Sequence, residues 1–264
     1  MRTLNFIKMH GLGNDFALLD ARAEKFEENS LPQLARDLCD RHFGVGADGV
    51  LIVQPSTKAE YRLQIFNPDG SEPEMCGNGI RCFAKYVYEK DKLSKDVVSI
   101  ETIAGTKVVA IIAEEGIVSA VEVDMGEPKD EGDLDLEGFR FRKINMGNPH
   151  AVAIVTDLDQ ITLAEIGPII ELSKHFPNRT NVEFVKVISD SEIEVLVWER
   201  GAGETLSCGT GACASAVAAN LAGKVGRSVK VNLPGGTLKV EWQDDGHVLM
   251  TGPAEAVFEG KYYL

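Results

Sequence analysis

Two cysteines, Cys76 and Cys208, each open the phrase Cys-Gly-X-Gly, as Cys76-Gly77-Asn78-Gly79 and Cys208-Gly209-Thr210-Gly211. They stand 132 positions apart (208 minus 76), half the length of a 264-residue chain. A thiol whose pKa is lowered is a proton acceptor, and its protonated partner is a donor. Two thiols presented in the same way by two related segments therefore point to one task performed from two sides. One sulfur takes a proton from a carbon acid while the other delivers a proton to the opposite face, and the product has inverted configuration. The carbanion formed on the way needs strong stabilisation, which converging backbone N–H groups supply in a site from which water is excluded.

The elements that present these thiols are legible from periodicity. The runs Gly49–Val53, Tyr61–Phe66 and Glu194–Trp198 read as strands, and Ile80–Lys90 and Ala212–Ala222 as helices directly after the Cys-Gly phrases. Each cysteine then sits at the start of a helix, where unsatisfied N–H groups and the positive end of the dipole favour an anion and lower a thiol pKa. The small side chains of Ala212–Ala222, apolar all round, predict a helix enclosed by the core. Two further strands, Asn5–Met9 and Phe16–Asp20, flank the turn-prone stretch from His10 to Asp15, and Leu31–Arg41 has helical spacing.

The likeness of the halves extends beyond the cysteines. Asn67 and Glu199 each precede their cysteine by nine positions, and Asp69-Gly70-Ser71-Glu72 matches Gly201-Ala202-Gly203-Glu204 at the same offset. Ala104–Val108 resembles Gly235–Val240, Val123–Pro128 resembles Leu249–Pro253, and Gly13-Asn14 corresponds to Gly147-Asn148. Matches in one order at nearly one offset predict two copies of a single α/β unit.

Length and composition bound the rest. With 44% hydrophobic and 26% charged residues the chain has the make-up of a globular protein that buries a sizeable core. A net charge of −14 argues against nucleic acid or an anionic membrane as partner. The first residues, Met1–Asn5, lack the layout of a secretory leader, which makes a cytoplasmic location the expectation. Five cysteines, an odd number, predict free thiols rather than a disulfide framework, with Cys39, Cys82 and Cys213 as small buried hydrophobes.

Taken together, the phrases Lys8–Phe16, Arg41–Asp48, Ile65–Glu72, Met75–Arg81, Met146–His150, Arg179–Val182 and Trp198–Gly211 resemble the diaminopimelate epimerase family, in order and over almost the whole chain. The resemblance implies an α/β fold of the α+β type. Two pseudo-symmetric domains would each wrap a curved, mostly antiparallel sheet around a central helix, with the active site in the cleft between them. The expected division is residues 1–118, completed by 254–264, and residues 119–253. The implied activity is interconversion of LL- and meso-2,6-diaminopimelate in lysine and peptidoglycan precursor biosynthesis, with no cofactor, no metal and a possible homodimer.

Carried over position by position, Cys76 and Cys208 are the implied acid–base pair. Gly77, Asn78, Gly209 and Thr210 are implied donors to the reacting carboxylate, and Asn14, Asn67, Asn148, Asn181, Glu199 and Arg200 are implied to hold the other polar groups. That set suits a ligand with two ammonium and two carboxylate groups, because Arg pairs bidentately with a carboxylate and Asn both donates and accepts. His150 and Glu199 are implied to tune the thiols, and His10 to brace the site loop; His42, His175 and His247 read as structural. Gly49 stands where some relatives carry a substrate-contacting Gln, so no side-chain role is assigned there. The competing readings are a proline or hydroxyproline racemase-like enzyme of the same fold and a thiol-based metal or redox protein. The first carries His at the position of Asn78 and needs no Arg200; the second lacks Cys-X-X-Cys support here.

Overall fold

Each unit of the fold is built around one helix that few residues could follow into so enclosed a place. The computed structural model describes residues 3–23 and 26–264. They divide into two compact units, one running up to Val123 and completed by Gly252–Leu264, the other Asp124–Thr251.

In the first unit the strands are β1 (Thr3–Gly11), β2 (Asn14–Asp20), β3 (Gly49–Gln54), β4 (Tyr61–Phe66), β5 (Val97–Thr102), β6 (Gly105–Glu114) and β7 (Ile117–Asp124). Two helices, α1 (Leu31–Cys39) and α2 (Gly77–Asp91), interrupt them. The second unit comprises β8 (Lys129–Leu136), β9 (Phe139–Asn145), β10 (Pro149–Val155), α3 (Leu163–Glu171), β11 (Asn181–Ser189), β12 (Glu192–Glu199), the two-residue β13 (Gly203–Glu204), α4 (Gly209–Leu221), β14 (Ser228–Leu233), β15 (Gly236–Trp242) and β16 (Val248–Gly252). The last strand, β17 (Glu255–Tyr263), returns to pair with β1.

The pairings repeat step for step. In the first unit β17–β1 and β1–β2 are antiparallel, β2–β3 parallel, β3–β4 antiparallel, β4–β5 parallel, and β5–β6 and β6–β7 antiparallel. In the second, β8–β9 and β9–β10 are antiparallel, β10–β11 parallel, β11–β12 antiparallel, β12–β14 parallel, and β14–β15 and β15–β16 antiparallel. The matching turn phrases fall at matching corners: Thr102 pairs with Gly105, and Leu233 with Gly236.

Helix α4 touches six successive strands, β9, β10, β11, β12, β14 and β15. Laid flat at ~4.8 Å spacing, six strands would span about 24 Å, twice the ~10–12 Å width of a helix. The sheet therefore curves around the helix. Small residues make this enclosure possible, and Ala212, Cys213, Ala214, Ser215 and Ala219 are all fully buried. Helix α2 is likewise buried from Gly77 to Tyr88, with larger side chains such as Ile80, Phe83 and Val87 filling the space against β1–β4 and β6.

Local details follow the sequence with two differences. The helix expected to reach Arg41 ends at Cys39, because Asp40 leaves helical geometry (ψ 123°) and its carboxylate accepts from the N–H groups of His42 and Phe43. The turn expected across His10–Asp15 contracts to Leu12 and Gly13, both in the left-handed region at φ 56° and 85°, so β1 and β2 run further toward each other. That tight hairpin brings Asn14 to the first position of β2.

Candidate functional site

In both units the cysteine is the N-cap of the enclosed helix. Cys76 and Cys208 are extended (φ −139°, ψ 116° and φ −125°, ψ 115°), and their sulfurs accept from the N–H groups of Gly79 at 3.4 Å and Gly211 at 3.3 Å. Sulfur thus takes the part that Ser or Asp oxygen usually plays at this position. The residues that open the first turn, Gly77 and Asn78 or Gly209 and Thr210, belong to the set whose backbone N–H groups have no partner within the helix. Each cap is consequently a place where an anion meets aligned donors and the positive end of a helix dipole.

Around Cys76 the structure brings together Asn14 and Asn78. The Cys76 thiol lies 3.9 Å from Asn14 Oδ1, to which Asn78 Nδ2 also donates at 3.2 Å. Asn14 is held from behind, its Nδ2 donating to Asp48 Oδ2 at 3.1 Å. Asp48 in turn accepts from the Asp15 N–H at 3.0 Å and from Arg41 at 2.7 Å, while Lys8, nearly buried, pairs with Asp15. Burial and the neighbouring Asp15 push the Asp48 carboxyl above the usual carboxylate range. Asn67 directly follows β4, and its amide donates to Ser71 Oγ at 3.0 Å, closing a small turn.

Around Cys208 the structure assembles Thr210, Asn148 and His150. Thr210 Oγ1 lies 3.5 Å from the sulfur and accepts from Asn148 Nδ2 at 3.3 Å. Asn148 Oδ1 faces His150 Nε2 at 2.9 Å, and His150 Nδ1 lies 2.6 Å from Glu183 Oε1. His150 thus reaches Cys208 through two intermediate side chains. Burial, followed by the charges of Glu199 and Glu183, raises the Cys208 thiol well above its ordinary pKa; the Thr210 hydroxyl and the Gly211 N–H act in the opposite direction.

The remaining expected residues order the neighbouring loop. Asn181 donates to Pro149 O at 2.9 Å and accepts from the Arg200 N–H at 2.9 Å. Glu199 accepts from Thr205 Oγ1 at 2.7 Å, and the Arg200 guanidinium, at an exposed position, reaches Asn178 O at 3.4 Å.

Sequence reasoning missed three acids here. Asp48 holds Asn14, Glu183 holds His150, and Glu171 on α3 accepts from Trp198 Nε1 at 2.8 Å and the Gly201 N–H at 2.9 Å, pinning the loop that carries Arg200. The available signal was a lone acid in an apolar strand, Val182-Glu183-Phe184-Val185, since an unpaired carboxylate is too costly to bury there. Among the described residues no group of three or more His, Cys, Asp or Glu side chains is arranged to hold a metal ion, and no helix is long and apolar enough to cross a membrane.

Comparison with known proteins adds the context of relatives. The sequence pattern of the diaminopimelate epimerase family matches residues 6–130 and 142–257. The chain is 49% identical to the diaminopimelate epimerase of Pelotomaculum thermopropionicum, over 98% of this chain and 99% of that one. Among solved structures, the PhzF-family phenazine biosynthesis protein of Bacillus anthracis shares the fold with a TM-score of 0.77 and 19% identity over the full length of both chains. A hydroxyproline epimerase from Agrobacterium vitis, with bound trans-4-hydroxy-L-proline, gives 0.73 at 18% identity over 99% of this chain and 91% of its own. At these identities the two likenesses concern the fold alone.

Proposed function

Because the chain belongs to the diaminopimelate epimerase family, we propose that it interconverts LL- and meso-2,6-diaminopimelate, with Cys76 and Cys208 as its acid–base pair. The observation that carries this reading is the duplicated N-cap: two cysteines at equivalent places in two units of the same topology, each bound to the first turn of an enclosed helix.

The chemistry runs in one balanced step or two. The thiolate of one cysteine takes the α-proton; the C–H electron pair stays on carbon and spreads into the adjacent carboxylate. The thiol of the other cysteine then protonates the opposite face, so the two sulfurs exchange protonation states. The α-proton of an amino acid is weakly acidic, so the developing charge is the main barrier. N–H groups of Gly77, Asn78, Gly209 and Thr210, with two helix dipoles, are the donors we assign to that charge. Asn14, Asn67, Asn148, Asn181, Glu199 and Arg200 are assigned to the remaining ammonium and carboxylate groups, Arg200 pairing with the distal carboxylate. Asn14 and Asn148 also lie in hydrogen-bonded chains that end at the cysteines. The scheme requires both cysteines to act on one ligand, and uses no cofactor.

In this reading the protein is a cytoplasmic enzyme of lysine and peptidoglycan precursor synthesis, with a small-molecule substrate, no nucleic-acid partner, and a homodimer as its assembly. The net charge of −14 supports the exclusion of nucleic acid. The decisive experiment incubates LL-diaminopimelate in D₂O without added pyridoxal phosphate. The expected result is conversion to the meso form with deuterium at the α-carbon, abolished by Cys76→Ala and by Cys208→Ala separately. Near-normal turnover in either variant would remove the two-base scheme, and no exchange or conversion by the folded, reduced parent would remove the activity itself.

A further inference from the structure

Glu183 is a fully buried carboxyl to which the two-thiol scheme gives no task, and its Oε2 has no hydrogen-bond partner among the described residues. Its other oxygen ends a continuous chain that leads to the Cys208 sulfur. From Glu183 Oε1 the links are His150 Nδ1 at 2.6 Å, His150 Nε2 to Asn148 Oδ1 at 2.9 Å, Asn148 Nδ2 to Thr210 Oγ1 at 3.3 Å, and Thr210 Oγ1 to Cys208 Sγ at 3.5 Å.

The chain has a direction, and Glu183 sets it. Both side chains of the His150–Glu183 pair have no exposed surface, so desolvation favours a pair with no net charge. Two forms satisfy this: imidazolium with carboxylate, or imidazole with carboxylic acid. In each of them Glu183 shares the proton on the Nδ1 side and Nε2 carries its own hydrogen. Nε2–H then donates to Asn148 Oδ1, Asn148 Nδ2 must face Thr210, and Thr210, accepting there, has its hydroxyl hydrogen left for the sulfur. A neutral imidazole without the acid could instead place its one hydrogen on Nδ1. Nε2 would become an acceptor, the Asn148 amide would turn over, and the Thr210 hydrogen would swing to Asn148 and away from Cys208. Glu183 also backs the cap directly: a methyl group on Gly211 would lie 2.8 Å from Glu183 Oε1.

The geometry points to Glu183 as a positioning residue that acts through His150 and Asn148 to aim the Thr210 hydroxyl at the Cys208 sulfur. The assignment rests on Cys208 being one of the two reacting thiols. Its effect is to hold a donor on the sulfur whenever Cys208 carries negative charge, and so to keep the thiolate accessible in a pocket that otherwise opposes it.

A double-mutant cycle separates this from bulk packing or direct electrostatics. Site-resolved alkylation of Cys208 by iodoacetamide is followed by mass spectrometry in the parent, Glu183→Gln, Thr210→Val and the double variant, with kcat and KM measured on the same proteins. Since one pKa unit changes the thiolate fraction about tenfold, Glu183→Gln is expected to lower the alkylation rate and kcat at least ~5-fold, opposite in sign to the loss of the carboxylate charge alone, with KM within ~2-fold. In the Thr210→Val background the chain is already cut, and the same substitution is expected to leave the alkylation rate unchanged or to raise it, as removal of the direct Glu183 charge does. An equal change in both backgrounds, or no change in either, would overturn the assignment. If Glu183→Gln does not fold, His150→Asn cuts the chain one link further on and is read by the same cycle. Alkylation does not depend on turnover, so a parent inactive on diaminopimelate would refute the epimerase reading while the chain is judged separately.

Discussion

Gly79 and Gly211 are the third residues of their helices and donate to the capping sulfurs in the same way, yet replacing them with alanine should have opposite consequences. A helix interior gains roughly 1 kcal/mol when Gly becomes Ala. At Gly79 the new methyl would meet Leu51 Cδ2 at 3.1 Å, with the Cys76 sulfur at 3.6 Å. The end of a leucine yields by a few tenths of an ångström, so Gly79→Ala should be neutral or stabilised by up to ~1 kcal/mol. At Gly211 the methyl would meet Glu183 Oε1 at 2.8 Å and the Cys208 sulfur at 3.3 Å. That oxygen belongs to a fully buried carboxyl held at 2.6 Å by His150, so making room weakens this bond. A hydrogen bond to a charged group contributes about 1.5–3 kcal/mol; set against the helix gain, Gly211→Ala should be destabilised by roughly 0.5–2 kcal/mol. The two variants should therefore differ by about 0.5–3 kcal/mol, a melting-temperature gap of roughly 1–12 °C for a chain this size. Thermal unfolding measured side by side, with turnover on diaminopimelate, tests the reasoning. Turnover should fall more in Gly211→Ala than in Gly79→Ala. A Gly211→Ala protein that melts at or above Gly79→Ala would show that the Glu183 carboxyl is not fixed where the argument needs it.

Arg81 is fully buried on α2, donating to Gly77 O and to Pro253 O at 3.1 Å each. Arg81→Met should cost about 2–4 kcal/mol, because those carbonyls lose charge-assisted donors, and a thermal midpoint indistinguishable from the parent would contradict this. His247 lies 2.9 Å from Asp124 Oδ2, and the hydrogen bond to that carboxylate raises its pKa above 6.5. With the folded value above the unfolded one, the pairing stabilises fully below about pH 6.5 and is lost as pH rises through the folded pKa. An NMR titration should find the His247 midpoint lowered by Asp124→Asn; an unmoved midpoint would assign the shift to some other group.

Much of the scaffold could be read in the chain because its signals are local. The apolar runs Gly49–Val53 and Tyr61–Phe66 define the strands β3 and β4 without reference to anything distant. The same holds for the helices that follow Cys76 and Cys208. Helix α3 was not legible: Gly167 and Pro168 lie inside it and read as breakers. Gly167 is tolerated because it packs directly on Trp198, where a Cβ would come within 2.6 Å of the indole. The supporting acids escaped for a different reason. Asp48, Glu171 and Glu183 partner residues 34, 27 and 33 positions away, so their purpose exists only once the strands are paired. Glu183 and His150 meet because β10 and β11 are parallel neighbours, a pairing that no local pattern announces.

The caps are alike in backbone and unlike in support, and the proposed inversion draws on both properties. A two-thiol scheme works only from the state in which one sulfur is charged and the other protonated. Were the two environments identical and independent, that mixed state would hold at most about half of the molecules, divided equally between the two arrangements, and only when pH matched the shared pKa. Unequal environments widen the pH range over which one mixed arrangement prevails. Cys208 is fully enclosed and faces the charges of Glu183 and Glu199, which favour its thiol, while Cys76 is partly exposed and its neighbour Asn14 is held by Asp48. In the proposed two-thiol scheme, the arrangement with Cys208 protonated has Cys208 as donor and Cys76 as base. The reverse reaction needs the opposite arrangement, in which Cys208 is a thiolate despite its burial. The Thr210 hydroxyl and the Gly211 N–H are the donors positioned to stabilise it. In the proposed scheme the symmetric parts of the two units serve the carbanion, to whose carboxylate each cap offers the same kind of donors. The asymmetric parts suit the protons, which must start on one side and finish on the other.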